Sequence, residues 1–453
     1  MRGTGAEQSV VVRMVCNGTG AKGLHNPAIF QDQPESGMNL VSKAKPFSIS
    51  KQEVYDAYRQ VRENRGAAGV DKQSIDEFGE NLSGNLYKLW NRMSSGSYFP
   101  PPVKRVEIPK EGGTRPLGIP TVADRIAQAV VKNRLEPLLE KCFHPYSYGY
   151  RPKKSAIEAV GVARERCWQY DWVLDLDISA FFDSIDHQLL LKALRFHTDC
   201  KWILLYVERW LTAPVQLLDG TLQGRERGTP QGGVISPLLA NLFLHYAFDV
   251  WMVRHYPGIP FERYADDAIC HCRTEEQARQ LRTALEERLE QFGLKLYPEK
   301  TKIIYCKDDR RPGNYPQVKF DFLGFTFRPR FTKNRLGQFF LGFTPAISNK
   351  ARKKLNQRMR SWRLHLRTGV ALQDLADACN PVLRGWINYY GSYRRSALYT
   401  IARQLDIHLA KWAMRKYKRL RGRVRQAHQW VRSIKAREPG MFAHWHMLYT
   451  AGL

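Results

Sequence analysis

Asp266 and Asp267 stand side by side in the stretch FERYADDAIC, residues 261–270, after Tyr264 and between two apolar flanks that read as strands. Adjacent carboxylates repel one another and resist desolvation, so a fold that sets two of them at a tight turn ordinarily needs a cation there. Alone, the pair is more simply a solvated Asp-Asp turn. A second carboxylate stretch upstream changes that balance. In WVLDLDISAFFDSIDH, residues 172–187, the β-rich run from Val173 to Ile178 delivers Asp177 to a strand end, just before Phe181 and Phe182. Asp175 and Asp177 lie two apart and should face the same side. Asp177 is nearer the strand end and better placed for chemistry; Asp186 reads as the cap of the helix HQLLLKAL, and Asp183 as part of a turn.

Several elements must hold these groups. Organisation begins near Ser50, where Ser50 and Glu53 form a capping box for a helix carrying Val54, Tyr58 and Val61 on one face. From Val103 to Pro120 the pattern alternates around a Gly-Gly turn, which predicts a hairpin bearing Lys104, Arg105, Lys110 and Arg115. A basic hairpin can close over a triphosphate, and an ordinary charged hairpin is the plainer account. In SYGYRPKKSA, Arg151, Lys153 and Lys154 interleave with Tyr148 and Tyr150, which suits a single strand with phosphates on the cations and bases on the rings. The stretch 227–249 opens on small residues at 228, 232 and 233 that would let backbone lie close to a base pair or sugar, then becomes an apolar helix. FDFLGFTFRP reads as one short strand. Leu355, Met359, Trp362 and Leu366 make one helical stripe, and Leu398, Ile401, Leu405, Leu409 and Trp412 another, with Leu372, Leu375 and Cys379 between: a three-helix basic domain.

Charge narrows the function. The chain of 453 residues carries +28, which points to a polyanionic partner. From residue 341 onward there are 23 Lys plus Arg against 4 Asp plus Glu, so two thirds of the net charge lies in the last quarter. The run 415–435 contains no acid, more positive charge than solubility alone requires. No apolar run approaches the roughly 18 to 20 residues of a spanning helix, and no membrane partner is expected. The eight cysteines are scattered without a C-x-x-C pair, so neither a zinc ribbon nor a dense disulfide framework is indicated; Cys270 and Cys272 read as alternating strand residues around His271. Residues 1–45 lack a clear period and read as a poorly ordered leader.

The motifs occur in a telling order: GVDKQSIDEF, the hairpin ending in RPLGIPT, GYRPKKSA, DISAFFDSIDH, GTPQGGVISPLLANLFLHY, YADD, PEKTK, FLGF, GWINYYG and REPGMFAHW. The set resembles the reverse transcriptases encoded by bacterial group II introns, which also act as maturases. The likeness runs from about residue 50 to the end, and GWINYYG and FAHW favour this family over retrons. Without the paired cysteines of the usual endonuclease, the chain looks like the group IIC branch.

The resemblance implies an α+β right hand of fingers, palm and thumb, with an antiparallel palm sheet and an α-helical basic thumb. Fingers would span 46–170, palm 171–335, thumb 336–414, and a short basic segment binding DNA or RNA 415–453, with no endonuclease domain. Asp177, Asp266 and Asp267 would be the catalytic carboxylates, holding two Mg²⁺ ions about 3.5 to 4 Å apart with help from the Ile178 carbonyl. Lys110 and Arg115 would hold the triphosphate, Gln231 and Gly232 would line the nucleotide pocket, and Lys300 would lie near the triphosphate. Phe182 would sit under the sugar and exclude a 2′-hydroxyl. Arg151, Lys153, Lys353, Lys354, Arg360 and Arg363 would contact nucleic acid. The implied partners are group II intron RNA, an RNA template with a DNA or RNA primer, dNTPs and target DNA, in the bacterial cytoplasm. Two alternatives remain: a splicing maturase with a vestigial polymerase site, against which the intact carboxylates argue, and a host-adopted relative serving defence or DNA repair.

Overall fold

The helix Lys51–Asn64 (α1) begins at a reciprocal cap, in which Ser50 Oγ accepts from the Glu53 amide while Glu53 accepts from the Ser50 amide. Its buried face carries Val54, Tyr58 and Val61, as the spacing predicts. The computed structural model describes residues 45–110, 113–333 and 336–449, without the side chains of Lys110, Leu448 and Tyr449; the expected leader therefore lies, except for Lys45, outside the described residues.

The strands Val103–Lys110 (β1) and Gly113–Ile119 (β2) pair antiparallel from Lys104↔Ile119 to Lys110↔Gly113. The helix Val122–Leu139 (α2) follows and is buried over most of its length. At its start the Asp124 carboxylate accepts from Tyr98 Oη at 2.8 Å, Trp210 Nε1 at 2.7 Å and Gln128 Nε2 at 3.0 Å, tying the segments around Tyr98 and Trp210 to this helix. Next come the helix Ala156–Gln169 (α3), the strand Trp172–Asp177 (β3) and the helix His187–His197 (α4), which Asp186 caps through the Leu189 amide at 2.9 Å. Two short strands, Val215–Gln216 (β4) and Leu222–Gln223 (β5), extend the hairpin sheet, with β4 parallel to β1.

The central sheet adds Phe261–Tyr264 (β6), Asp267–Cys272 (β7) and Lys302–Tyr305 (β8) in the order β6-β7-β3-β8, every pair antiparallel. Both faces of this sheet are covered. Leu174, Leu176, Ala268, Cys270 and Cys272 enter the main core, to which the helices Ser236–Leu244 (α5) and Glu275–Glu290 (α6) contribute. Val173, Ile269 and Ile304 enter a second cluster rich in phenylalanine. Burial on both sides explains why β3 reads as nearly continuous apolar text. Asp175 and Asp177 share parity with Val173 and so emerge on the phenylalanine side.

That side is built by Phe320–Phe322 (β9), Phe325–Lys333 (β10) and Phe339–Ile347 (β11), in the order β11-β10-β9. The sequence predicts one short strand over FDFLGFTFRP; the chain instead reverses at Leu323 and Gly324, with φ of 49° and 82°. Apolar residues resume in step across the turn, so alternation does not reveal it. Past β11 lie the helices Asn349–Ser361 (α7), Leu372–Arg394 (α8), Tyr399–Lys416 (α9), Val424–Arg437 (α10) and Ala443–Tyr449 (α11).

The segment after 415 does not stand apart from the thumb. Ala427, Val431, Ile434, Phe442 and Trp445 are buried in one core with Leu355, Met359, Leu375, Leu405 and Trp412. Their helical spacing is hidden among arginines. Asp406 fastens this closure, accepting from His444 Nε2 at 2.9 Å and Trp445 Nε1 at 2.7 Å. Leu366, expected on the first stripe, lies past the end of α7 and is exposed.

Candidate active site

The β6–β7 hairpin ends its ladder at Tyr264↔Asp267, leaving Ala265 and Asp266 to make the turn, Ala265 with a left-handed φ of 58°. The Arg263 side chain holds it from below. Buried to 1% exposure, its guanidinium donates to Asp249 Oδ1 and Oδ2 at 2.7 and 2.6 Å, to Asn241 Oδ1 at 3.1 Å and to the Ala265 carbonyl at 3.0 Å. Burial alone would push the Asp249 carboxyl up, but the charge and hydrogen bonds of Arg263 outweigh it and hold that carboxyl below its usual range. The GYRPKKSA loop lies directly on the same turn: a Cβ on Gly149 would stand 2.3 Å from the Ala265 nitrogen, so only glycine fits. Sequence reasoning missed Arg263, Asp249, Asn241 and Gly149. An arginine in an apolar strand next to the acidic pair was the available signal.

Asp177 and Asp267 are direct cross-strand partners on β3 and β7, with Asp175 two residues back. Together with Asp266 they line one cleft of roughly 1060 Å³. Asp267 is held well above the usual carboxylate range, first by burial and then by the charges of Asp175, Asp266 and Asp177, while a hydrogen bond from the Leu323 amide opposes this. Burial and the charge of Asp177 push Asp175 up to about 7 despite Lys302. Lys300 Nζ lies 3.1 Å from Asp177 Oδ2 and above the Tyr297 ring. Ile178 bridges to Leu296, with the Ser179 amide donating to the Lys295 carbonyl at 2.8 Å and the Tyr297 amide to the Asp177 carbonyl at 2.7 Å. In that antiparallel pattern the N–H and C=O of Ile178 itself point away from Leu296, toward the strand that bears the acidic pair.

The donor set fits a divalent cation: oxygen ligands only, with excess negative charge that raises two of the carboxyls. Among the described residues no three His, Cys, Asp or Glu side chains are already arranged to enclose a metal ion. The carboxylates share one end of the sheet and one cleft, with Lys300 close to Asp177.

Other expected residues fall into two groups. Phe182 is half-buried and Phe181 buried, their rings edge to face at 5.4 Å. Arg115 is exposed on β2 and close enough for its charge to act on Asp183 and Tyr150. The Lys110 side chain lies outside the described residues. Gln231 faces Asp183, 3.5 Å from its Oδ2, and its carbonyl accepts from the Gly118 amide at 2.8 Å. The small residues of the 227–233 turn admit protein backbone. A Cβ on Gly232, whose φ is 122°, would be 2.4 Å from the Gly118 carbonyl oxygen, and one on Gly228 would meet Phe182 and Asp183. Their smallness is thus accounted for by the close approach of protein backbone.

Arg151 does not reach a groove. Its guanidinium is held by Glu140 at 2.9 Å and by the His144 and Ser147 carbonyls at 2.7 Å, which commits its donors to the loop itself. Lys153 is exposed, and Lys154 reaches the Pro145 carbonyl at 2.8 Å. Tyr148 is core, whereas Tyr150 stands near Asp266, whose charge adds to burial in raising its hydroxyl. Lys353, Lys354, Arg360 and Arg363 are exposed but do not line the cleft. Besides Lys300, Lys302 and Lys319, its cations are Arg328 and Arg330 on β10, Lys350 and Arg352 on α7, and Arg394 at the end of α8. The two-residue spacing of Arg328 and Arg330 on a strand was the signal for the β10 cations.

A four-stranded antiparallel sheet presenting aspartates at one end, a basic hairpin on the fingers side and a cationic helical domain opposite define a nucleic-acid polymerase of the right-hand type. Residues 108–327 match the family described as Reverse transcriptase (RNA-dependent DNA polymerase), and residues 352–430 match that described as Group II intron, maturase-specific domain. Protein YkfC of Escherichia coli K12 is 33% identical over 296 residues, covering 56% of this chain and 77% of that protein. Group II intron-encoded protein LtrA of Lactococcus lactis subsp. cremoris is 33% identical over 195 residues, 42% of this chain and 32% of LtrA. The chain belongs to the reverse transcriptases of the group II intron type, RNA-directed DNA polymerases joined to a maturase domain. Dependence on a divalent metal comes with that family.

Proposed function

We propose that the cleft copies an RNA template into cDNA from dNTPs, extending a DNA or RNA primer, and that the chain assists splicing and mobility of a group II intron RNA. The observation that carries this is the facing of Asp177 and Asp267 across β3 and β7, with Asp266 at the adjoining turn and all three in one cleft. These carboxylates and the Ile178 carbonyl would hold two Mg²⁺ ions, which when bound activate the primer hydroxyl and neutralise charge on the departing pyrophosphate. Arg115 and Lys110 would neutralise the triphosphate, and Lys300 would pass from Asp177 to the leaving pyrophosphate and supply it with a proton. Phe182 would lie under the sugar, with Gln231 and Gly232 beside it. Arg328, Arg330 and Arg352 would follow the backbone of the primer–template duplex, while Lys353, Lys354 and Arg360 on α7 and Arg363 just past it, exposed and outside the cleft lining, would meet folded intron RNA and target DNA. No helix among the described residues is long and apolar enough to cross a membrane, and a bacterial cytoplasm is the setting we propose.

Primer extension on an RNA template with Mg²⁺ and dNTPs tests the reading. The intact protein should yield long cDNA and Asp266→Ala none, with RNA affinity nearly unchanged. Tight RNA binding without cDNA from the intact protein would replace the polymerase reading with that of a splicing cofactor.

A further inference from the structure

The strands β10 and β11 run on past the phenylalanine cluster as a two-stranded ribbon. β9 pairs with β10 only from Phe325 to Phe327, and the next β10 residues, Arg328 to Phe331, line the cleft that holds the aspartates. Phe325 and Phe327 are buried, and Phe331 shares their parity. The register sets Phe331 opposite Leu341 and Lys333 opposite Phe339 on that same face. Past the core this face opens to solvent, with Phe331 68% exposed and Phe339 70%. The ribbon is nonetheless held in place. Arg394 donates to the Phe331 carbonyl at 3.3 Å, and the Leu341 amide donates to Asp309 Oδ2 at 2.8 Å. Lys333 Nζ lies 4.8 Å from the centre of the Phe339 ring. Residues 325–347 contain four Lys or Arg and no Asp or Glu.

We infer that Phe331, with Phe339 beyond it on the same face, is a stacking platform for unpaired bases of the template strand where the ribbon leaves the cleft. The inference rests on the cleft being the polymerase site. The charge of the ribbon calls for a polyanion, and its exposed rings call for flat apolar faces; an unpaired strand offers both, with phosphates for the cations and bases for the rings. A duplex does not, because its bases are already stacked on one another and its phosphates and sugars face outward. In a primer–template the primer is paired and the template alone carries unpaired bases, so the template is the occupant. Arg328 and Arg394 line the cleft along with Phe331 and supply cations for its phosphates.

The test measures Kd for the full chain by fluorescence anisotropy with three ligands: a blunt RNA–DNA duplex, the same duplex with an unpaired RNA template extension, and one whose extension is abasic. Phe331→Ala and Phe331→Leu should each weaken binding of the extended duplex about tenfold, the worth of one stacked base, and Phe331→Trp should keep it. Binding of the blunt duplex and of the abasic extension should not respond to any of the three changes, nor should the thermal midpoint. An equal loss on the blunt duplex would place the ring against paired nucleic acid, and full affinity in Phe331→Leu would reduce it to apolar surface; either overturns the proposal. Affinities unchanged in every variant would overturn it too, and a dimer of the intact protein that Phe331→Ala dissociates in analytical ultracentrifugation would then make the ribbon a contact between two copies. If the intact protein makes no cDNA, the polymerase reading fails by itself, and these affinities still decide what Phe331 binds.

Discussion

Arg263 and Asp249 are the residues on which the acidic turn depends, though neither enters the cleft. Both are about 1% exposed, and the Arg263 guanidinium satisfies two carboxylate oxygens, an amide oxygen and the Ala265 carbonyl together. Removing one partner of such a pair leaves a buried charge unanswered. Arg263→Met should therefore lower the free energy of unfolding by about 3 to 5 kcal/mol, measured by urea denaturation. The double change Arg263→Met with Asp249→Leu removes both charges and should regain much of that stability. It cannot restore the bond to the Ala265 carbonyl, so primer extension should stay low while the midpoint of unfolding recovers. Recovery of both together would show the pair to be a stability feature without influence on the turn.

At the scale of elements, Asp124 shows how the fingers are sensitive to pH. It is fully buried at the start of α2, and burial pushes its carboxyl up from 3.8 to about 6 against the hydrogen bonds of Trp210, Tyr98 and Gln128. A carboxyl raised on folding binds its proton more tightly in the folded chain. Its stabilising contribution is complete below 3.8 and is lost as pH rises to about 6. The difference in stability between intact protein and Asp124→Asn should change by on the order of 3 kcal/mol across that window and then level off, as read from unfolding at a series of pH values. A flat difference would show the carboxyl to be ionised throughout.

Elements governed by local pattern were legible in the sequence: the cap at Ser50, the basic hairpin, the β3 run and the two carboxylate stretches all follow from period and residue type. The Leu323 reversal, the closure of the thumb by α10 and α11, and the fate of Arg151 were not. The first two are decided by partners distant in sequence, Tyr389 for the reversal and Asp406 for the closure; the arginine is decided nearby, by Glu140 and two carbonyls that only the folded loop brings around it. Arg151 looked like a ligand for phosphate because its type and aromatic neighbours suit one. The loop uses it instead to satisfy its own carbonyls beneath the acidic turn.

For the whole molecule, the positive charge carried by β10 and α7 divides between the cleft and the surface outside it. Arg328 and Arg352 line the cleft, while Lys353 and Lys354, on the same helix as Arg352, are exposed and do not line it. A short primer–template confined to the cleft can meet only the first pair; a large folded intron RNA can wrap onto the second. Each phosphate contact contributes roughly 0.7 to 0.9 to the slope of log affinity against log salt, so the surfaces are separable by counting. Arg328→Ala with Arg352→Ala should lower the slope for a short primer–template by about 1.5 and slow cDNA synthesis, whereas Lys353→Ala with Lys354→Ala should leave that slope unchanged and lower the one for intron RNA. Equal losses of slope on the short duplex would mean that a single continuous surface serves both ligands, and the division of labour between copying and splicing would then have to lie in the timing of binding, not in its place.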